Sequence, residues 1–132
     1  MDLAEFDMLA ERDPSIDTYI DARQKEIAQE KDDIIIEGRL SGWMISDADL
    51  KIWLMAPLTC RVERILTRDS VSDLATARAL TDEREKSEAL RYRIYYQIDI
   101  NDLSSYHIVL NSEHWDIEKL GAIIKTAVSV CQ

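Results

Sequence analysis

Three apolar runs limit what this chain can fold into. IIIE (34–37), LKIWLMA (50–56) and YHIVLN (106–111) are each too short for a helix and are bounded by polar or turn-forming residues, so they read as buried strands. Between them, apolar residues recur every three or four positions. Strands alternating with helices make an α/β layer structure, with a parallel sheet of three strands joined by right-handed crossovers. Ligands of such sheets sit beyond the carboxyl ends of the strands. The first run ends there, at Glu37-Gly38-Arg39, and leads into Ser41-Gly42-Trp43.

The helical segments carry their own start signals. Leu3, Phe6 and Leu9 share a face, and Asp13-Pro14 reads as the cap and first residue of a second helix. That helix runs to about Glu30 and sets Asp17 and Asp21 one turn apart. Pro57 closes the second strand, and LTCRVERILTR (58–68) is helical by pattern, with Arg61, Arg64 and Arg68 on one face. Residues 72–96 hold neither Pro nor Gly and predict a helix broken once near Leu80-Thr81. Asp116 caps a last amphipathic helix carrying Leu120, Ile123, Ile124, Ala127 and Val128. At 132 residues, a single domain over 1–132 is expected.

Charge narrows the class of ligand. A net charge of −10 opposes general binding to a nucleic-acid polymer. Residues 1–33 hold eleven acids against four bases, whereas residues 57–93 hold eight bases against seven acids. A local cationic region in an acidic protein suits a small anion such as one phosphate. No apolar run approaches the roughly 18 residues of a membrane span, and the opening MDLAEFDMLAE is acidic rather than signal-like. A soluble, cytoplasmic protein with no membrane partner is expected. Cys60 and Cys131 lie far apart without CxxC spacing and read as buried or inert thiols.

Several groups could carry chemistry. An apolar strand ending in an acid is where a carboxylate holds magnesium directly or through water, and Glu37 stands there. A plain strand terminus is the commoner cause of such a pattern. Gly38 permits a close approach, and Arg39 offers a planar five-donor fork suited to a phosphate or, more blandly, to solvent. Arg84, Glu88, Arg91 and Tyr95 recur at i, i+4, i+7 and i+11 and form one stripe. Two arginines steadied by a carboxylate can clamp one phosphate, but an exposed ladder of ion pairs reads the same way. Trp43, Trp53 and Trp115 are packing candidates, and Trp43 beside Gly42 in a loop could instead wall a base pocket. His107 reads as a core or edge residue and His114 as a surface one, neither with a nucleophilic partner.

Taken in order, LAEFDMLAERDPSIDTYIDARQ, DDIIIEGRLSGWM, ADLKIWLMAP, RVERILTR, EREKSEALRY and YQIDINDLSSYHIVLN resemble the cytidylate kinases, in their short archaeal-type form, among the nucleoside monophosphate kinases. The resemblance implies a three-layer parallel sheet of the P-loop kinase type. It also implies ATP-dependent phosphoryl transfer to CMP or dCMP with magnesium, in pyrimidine nucleotide metabolism. By the same resemblance, Arg39, Arg84 and Arg91 grip the phosphate of CMP, and Glu88 contacts the nucleoside. Arg61, Arg64 and Arg68 are the lid-side arginines over the transferring group, within helices at about 58–96. Residues 1–31, with Asp17, Asp21 and Arg23, form the acceptor-binding helices, and Glu37 is the metal position. Leu40 replaces an acid of the bacterial relatives, so the Ser41-Gly42-Trp43 segment is expected to supply that nucleoside contact.

One departure is large. The only glycines are Gly38, Gly42 and Gly121, and no GxxxxGK[ST] phosphate loop occurs. The expectation is a kinase truncated at its N-terminus, with an incomplete ATP site, impaired transfer, and exposed sheet edges available for self-association. The alternative is a noncatalytic nucleotide-binding or dimerisation module derived from such a kinase.

Overall fold

The structure is a computed structural model and describes residues 2–132. Helix α1 (Leu3–Arg12) begins in a reciprocal cap, in which Asp2 accepts from the Glu5 amide at 2.8 Å and Glu5 accepts from the Asp2 amide at 2.9 Å. Helix α2 (Pro14–Glu30) starts at the proline, with the Asp13 carboxylate accepting from the Ser15 amide at 3.0 Å. Then follow α3 (Ser41–Met44), β1 (Ile52–Met55), α4 (Leu58–Arg68), α5 (Leu74–Tyr96), β2 (Ile108–Asn111) and α6 (Ile117–Cys131). Asp73 caps α5 through Thr76, and Asp116 caps α6 through Lys119, as the sequence predicts for the latter.

The chain forms two compact units. One comprises the chain up to Ala22 together with Leu58–Asp102, and the other Arg23–Pro57 together with Leu103–Gln132. In the first, α5 packs against α1 and α4. Its buried apolar residues are Ala10, Val62, Ala77, Tyr92 and Ile100, and buried beside them are Asp7, Asp17, Asp21, Thr81, Ser87, Glu88 and Arg91. In the second unit, β1 and β2 pair in parallel with Ile52 opposite Ile108 and Met55 opposite Asn111. Leu40, Ile45, Ala56 and Leu110 are its buried apolar residues. Leu120, Ile123, Ile124 and Ala127 of α6 are half-buried, while Val128 is exposed.

Several expectations are corrected. The sheet among the described residues has two strands, not three, and 34–37 belongs to no helix or strand. A strand persists only when its backbone N–H and C=O groups are paired, and β1 and β2 pair with each other while 34–37 has no register with either. Nor is that run buried, since Ile35 is 96% exposed. Both remaining strands are shorter than predicted and only partly covered: Leu54 and Met55 of β1 and Val109 of β2 are exposed. The break expected near Leu80-Thr81 is absent. The Thr81 hydroxyl donates to the Ala77 carbonyl at 2.7 Å and is satisfied inside one continuous helix. Trp43 lies in the single turn of α3 rather than in a loop, and Cys131 is exposed rather than buried.

Candidate functional site

In the first unit, the acidic face of α1 and α2 meets the arginine stripe of α5. Arg91 is 4% exposed and its Nε donates to Asp17 Oδ2 at 2.7 Å, while Nη1 donates to Ser87 Oγ at 2.8 Å and to Asp7 Oδ1 at 3.2 Å. Burial works against the Arg91 charge, yet the hydrogen bonds and charges of Asp17 and Asp7 outweigh it and raise its pKa. Two turns before Arg91, Arg84 Nε donates to the buried Glu88 carboxylate at 3.1 Å. Beyond Arg91, the Tyr95 hydroxyl donates to the Ala10 carbonyl at 2.7 Å and the Tyr96 hydroxyl to Asp21 Oδ2 at 2.5 Å. Burial, then the bond to Asp21, pushes the Tyr96 phenol well above its usual range. An exposed ladder of ion pairs therefore does not describe this stripe: its central members Glu88 and Arg91 are buried, and Arg91 is bonded to α1 and α2.

The α4 arginines divide. Arg61 makes a two-pronged pair with Glu85 of α5, at 2.8 and 3.0 Å. Arg64 and Arg68 line an open groove of about 450 Å³ along α4 with Cys60, Glu63 and Thr67, and Arg68 also holds Asp69 at 2.7 and 3.1 Å. That bond lowers the Asp69 pKa.

The second unit holds the remaining candidates. Glu37 is exposed. Among the described residues no group of three His, Cys, Asp or Glu side chains gathers to hold a metal, so the residues present do not build a resident metal cage. Arg39 lies with its guanidinium carbon 5.5 Å from the centre of the Trp53 ring, and Trp53 in turn stands 5.2 Å from Tyr106 at an interplanar angle of 56°. Gly42 lies directly beneath the Tyr106 ring: a Cβ there would meet Cζ at 2.6 Å and the hydroxyl at 2.8 Å. The buried side-chain atoms Trp43 Nε1, Ser105 Oγ and Tyr106 OH have no hydrogen-bond partner. Burial raises the Tyr106 pKa and the charge of Arg39 opposes it, so the two groups sense one another. Arg23 pairs with Glu26 at 2.5 Å on α2, and His107 Nδ1 accepts from the Lys51 amide at 2.9 Å just before β2.

Sequence reasoning missed Asp7, Ser87, Glu85, Trp53 and Tyr106. Asp7 did leave a signal, because it falls at helical spacing between Leu3 and Ala10, where an acid on an apolar stripe needs a buried cation. Nothing local distinguishes Trp53 from a packing residue.

The family model described as "Cytidylate kinase-like family" matches residues 2–114, which include every candidate residue named above. The chain belongs to the cytidylate kinase-like family. Among members named cytidylate kinase, that of Methanoregula boonei is 61% identical over 128 residues, covering 97% of this chain and 70% of the relative. That of Methanosphaerula palustris is 65% identical, covering 98% and 73%, and that of Methanospirillum hungatei is 57% identical, covering 98% and 73%. No solved structure matches the chain. In this member of the cytidylate kinase-like family, no described helix is long and apolar enough to cross a membrane.

Proposed function

We propose that these 132 residues carry the acceptor-side machinery of an ATP-dependent kinase that phosphorylates CMP or dCMP. The observation behind this reading is the family match across the arginine-bearing segments, in a protein whose net charge would otherwise repel anions. The chemistry asked of the chain is positioning and charge neutralisation rather than covalent catalysis. Arg39 and Arg84 are assigned to the acceptor phosphate and Glu88, Gly42 and Trp43 to the nucleoside, with Asp17, Asp21 and Arg23 on the acceptor-binding helices. Arg61, Arg64 and Arg68 are assigned to the transferring phosphoryl group. Arg91 is assigned to the acceptor phosphate as well; its bonds to Asp17, Asp7 and Ser87 engage three of its five N–H donors. Magnesium would be held largely by nucleotide phosphates, with Glu37 supplying one oxygen. The reading places the protein in the cytoplasm.

No phosphate loop occurs within these residues, so the purified 132-residue chain is expected to bind CMP in calorimetry, to bind ATP poorly, and to form CDP far more slowly than its family does. Robust CDP formation by this chain would overturn the impairment, and absence of CMP binding would overturn the acceptor assignment.

A second reading, a noncatalytic nucleotide-binding or dimerisation module, draws on the exposed Ile35, Leu54 and Val109 and on the open edges of a two-stranded sheet. It predicts self-association with CMP binding retained. A strictly monomeric species in sedimentation at high concentration speaks against it.

A further inference from the structure

We propose that Trp53 is a positioning residue for Arg39. The inference rests on the reading that Arg39 grips an acceptor phosphate. Arg39 is exposed and stands on a backbone stretch outside any regular element, where a long flexible side chain samples many rotamers. A guanidinium that must be ordered by its ligand loses affinity in the ordering, and one already ordered does not. The guanidinium lies over the Trp53 face at cation–π distance.

Trp53 is itself fixed by the sheet. Trp53 belongs to β1 and is fixed in register opposite Val109 of β2. Tyr106, two residues before β2, leans on the indole, and Gly42 lets the Tyr106 ring settle where a side chain would displace it. The sequence of contacts runs from Gly42 through Tyr106 and Trp53 to Arg39. A sheet-anchored platform thus steadies a cation carried by an irregular segment. With Arg39 over its face and Tyr106 against it, Trp53 is better placed for this task than for stacking on a base.

The test compares CMP with cytidine, which lacks the phosphate, by calorimetry on the full chain. Trp53→Leu is expected to weaken CMP about two- to fivefold, the range of an exposed cation–π contact, and to leave cytidine affinity unchanged. Trp53→Phe keeps an aromatic face and should fall between wild type and Trp53→Leu, which preserves the test if the leucine variant folds poorly. In an Arg39→Gln background, Trp53→Leu should produce no further loss of CMP affinity. Equal weakening of CMP and cytidine, or a full extra loss in the Arg39→Gln background, overturns the proposal.

Order at Arg39 is read independently, without ligand, from the Nε–Hε resonance. Ring-current displacement and restricted motion are expected in wild type and should be lost in Trp53→Leu. Identical Arg39 order in the two proteins overturns the role of Trp53 whatever the ligand, whereas failure of wild type to bind CMP overturns the acceptor reading instead.

Discussion

Both units bury apolar residues, but only the first also buries polar and charged ones. All the buried polar and charged side chains of the described residues lie in the first unit, around Arg91, Asp7, Asp17, Asp21 and Glu88, whereas the second unit buries Leu40, Ile45, Ala56 and Leu110. In the first, ionic groups are matched: Asp17, Ser87 and Asp7 each accept from Arg91 within 3.2 Å. In the second, Trp43, Ser105 and Tyr106 keep buried polar atoms without partners. A matched charge cluster is costly to cut because the survivor is left charged and dry. Unmatched polar atoms sit where a water or a ligand group could complete them.

The sharpest way to break this comparison is Arg91→Met. It leaves Asp7 and Asp17 buried without their cation, and a loss of about 3–5 kcal/mol in urea unfolding is expected. A loss under about 1 kcal/mol would mean that the ionic cluster does not hold the first unit together. In the second unit the corresponding weak point is steric. Gly42→Ala sets a methyl group against the Tyr106 ring and should cost about 1–3 kcal/mol by overpacking, with a change in Trp fluorescence as Trp53 loses its neighbour. No loss of stability would show that the ring moves aside freely.

Smaller effects sharpen the contrast. Tyr96 has a folded-state pKa raised above its ordinary 10.0, by burial and by its bond to Asp21. A raised pKa means that this group's stabilisation is complete below about pH 10 and is lost as pH climbs through the folded value. Tyr96→Phe should therefore flatten the alkaline limb of the stability profile, and an unchanged limb in equilibrium unfolding at pH 9–11 would reject the assignment. Smallest of all is Ile35→Ser. At a nearly fully exposed position the change should stay within about 0.5 kcal/mol in the same unfolding assay. A larger loss would show that the isoleucine run is covered in solution, consistent with self-association.

Much of the architecture was legible because it is local. Asp13-Pro14 and Asp116 announce helix starts within a few residues of themselves, and α2, α4 and α6 lie where periodicity puts them. The candidate site was legible only as positions. Arg84, Glu88 and Arg91 share a face by helical spacing alone, but whether that face meets solvent or acids could not be read from within one helix.

The sequence by itself determined the long helices apart from the continuity of α5, two of the three strand positions, the clustering of arginines and the resemblance to the cytidylate kinases, because these rest on short-range spacing and ordered blocks. Only the tertiary structure decided that IIIE stays outside the sheet, that Arg91 is shared by Asp7 and Asp17 far away in the chain, and that Trp53 lies beneath Arg39. Strand pairing, buried ion pairs and ring contacts each need a partner from elsewhere in the chain, and no spacing within one segment can specify it.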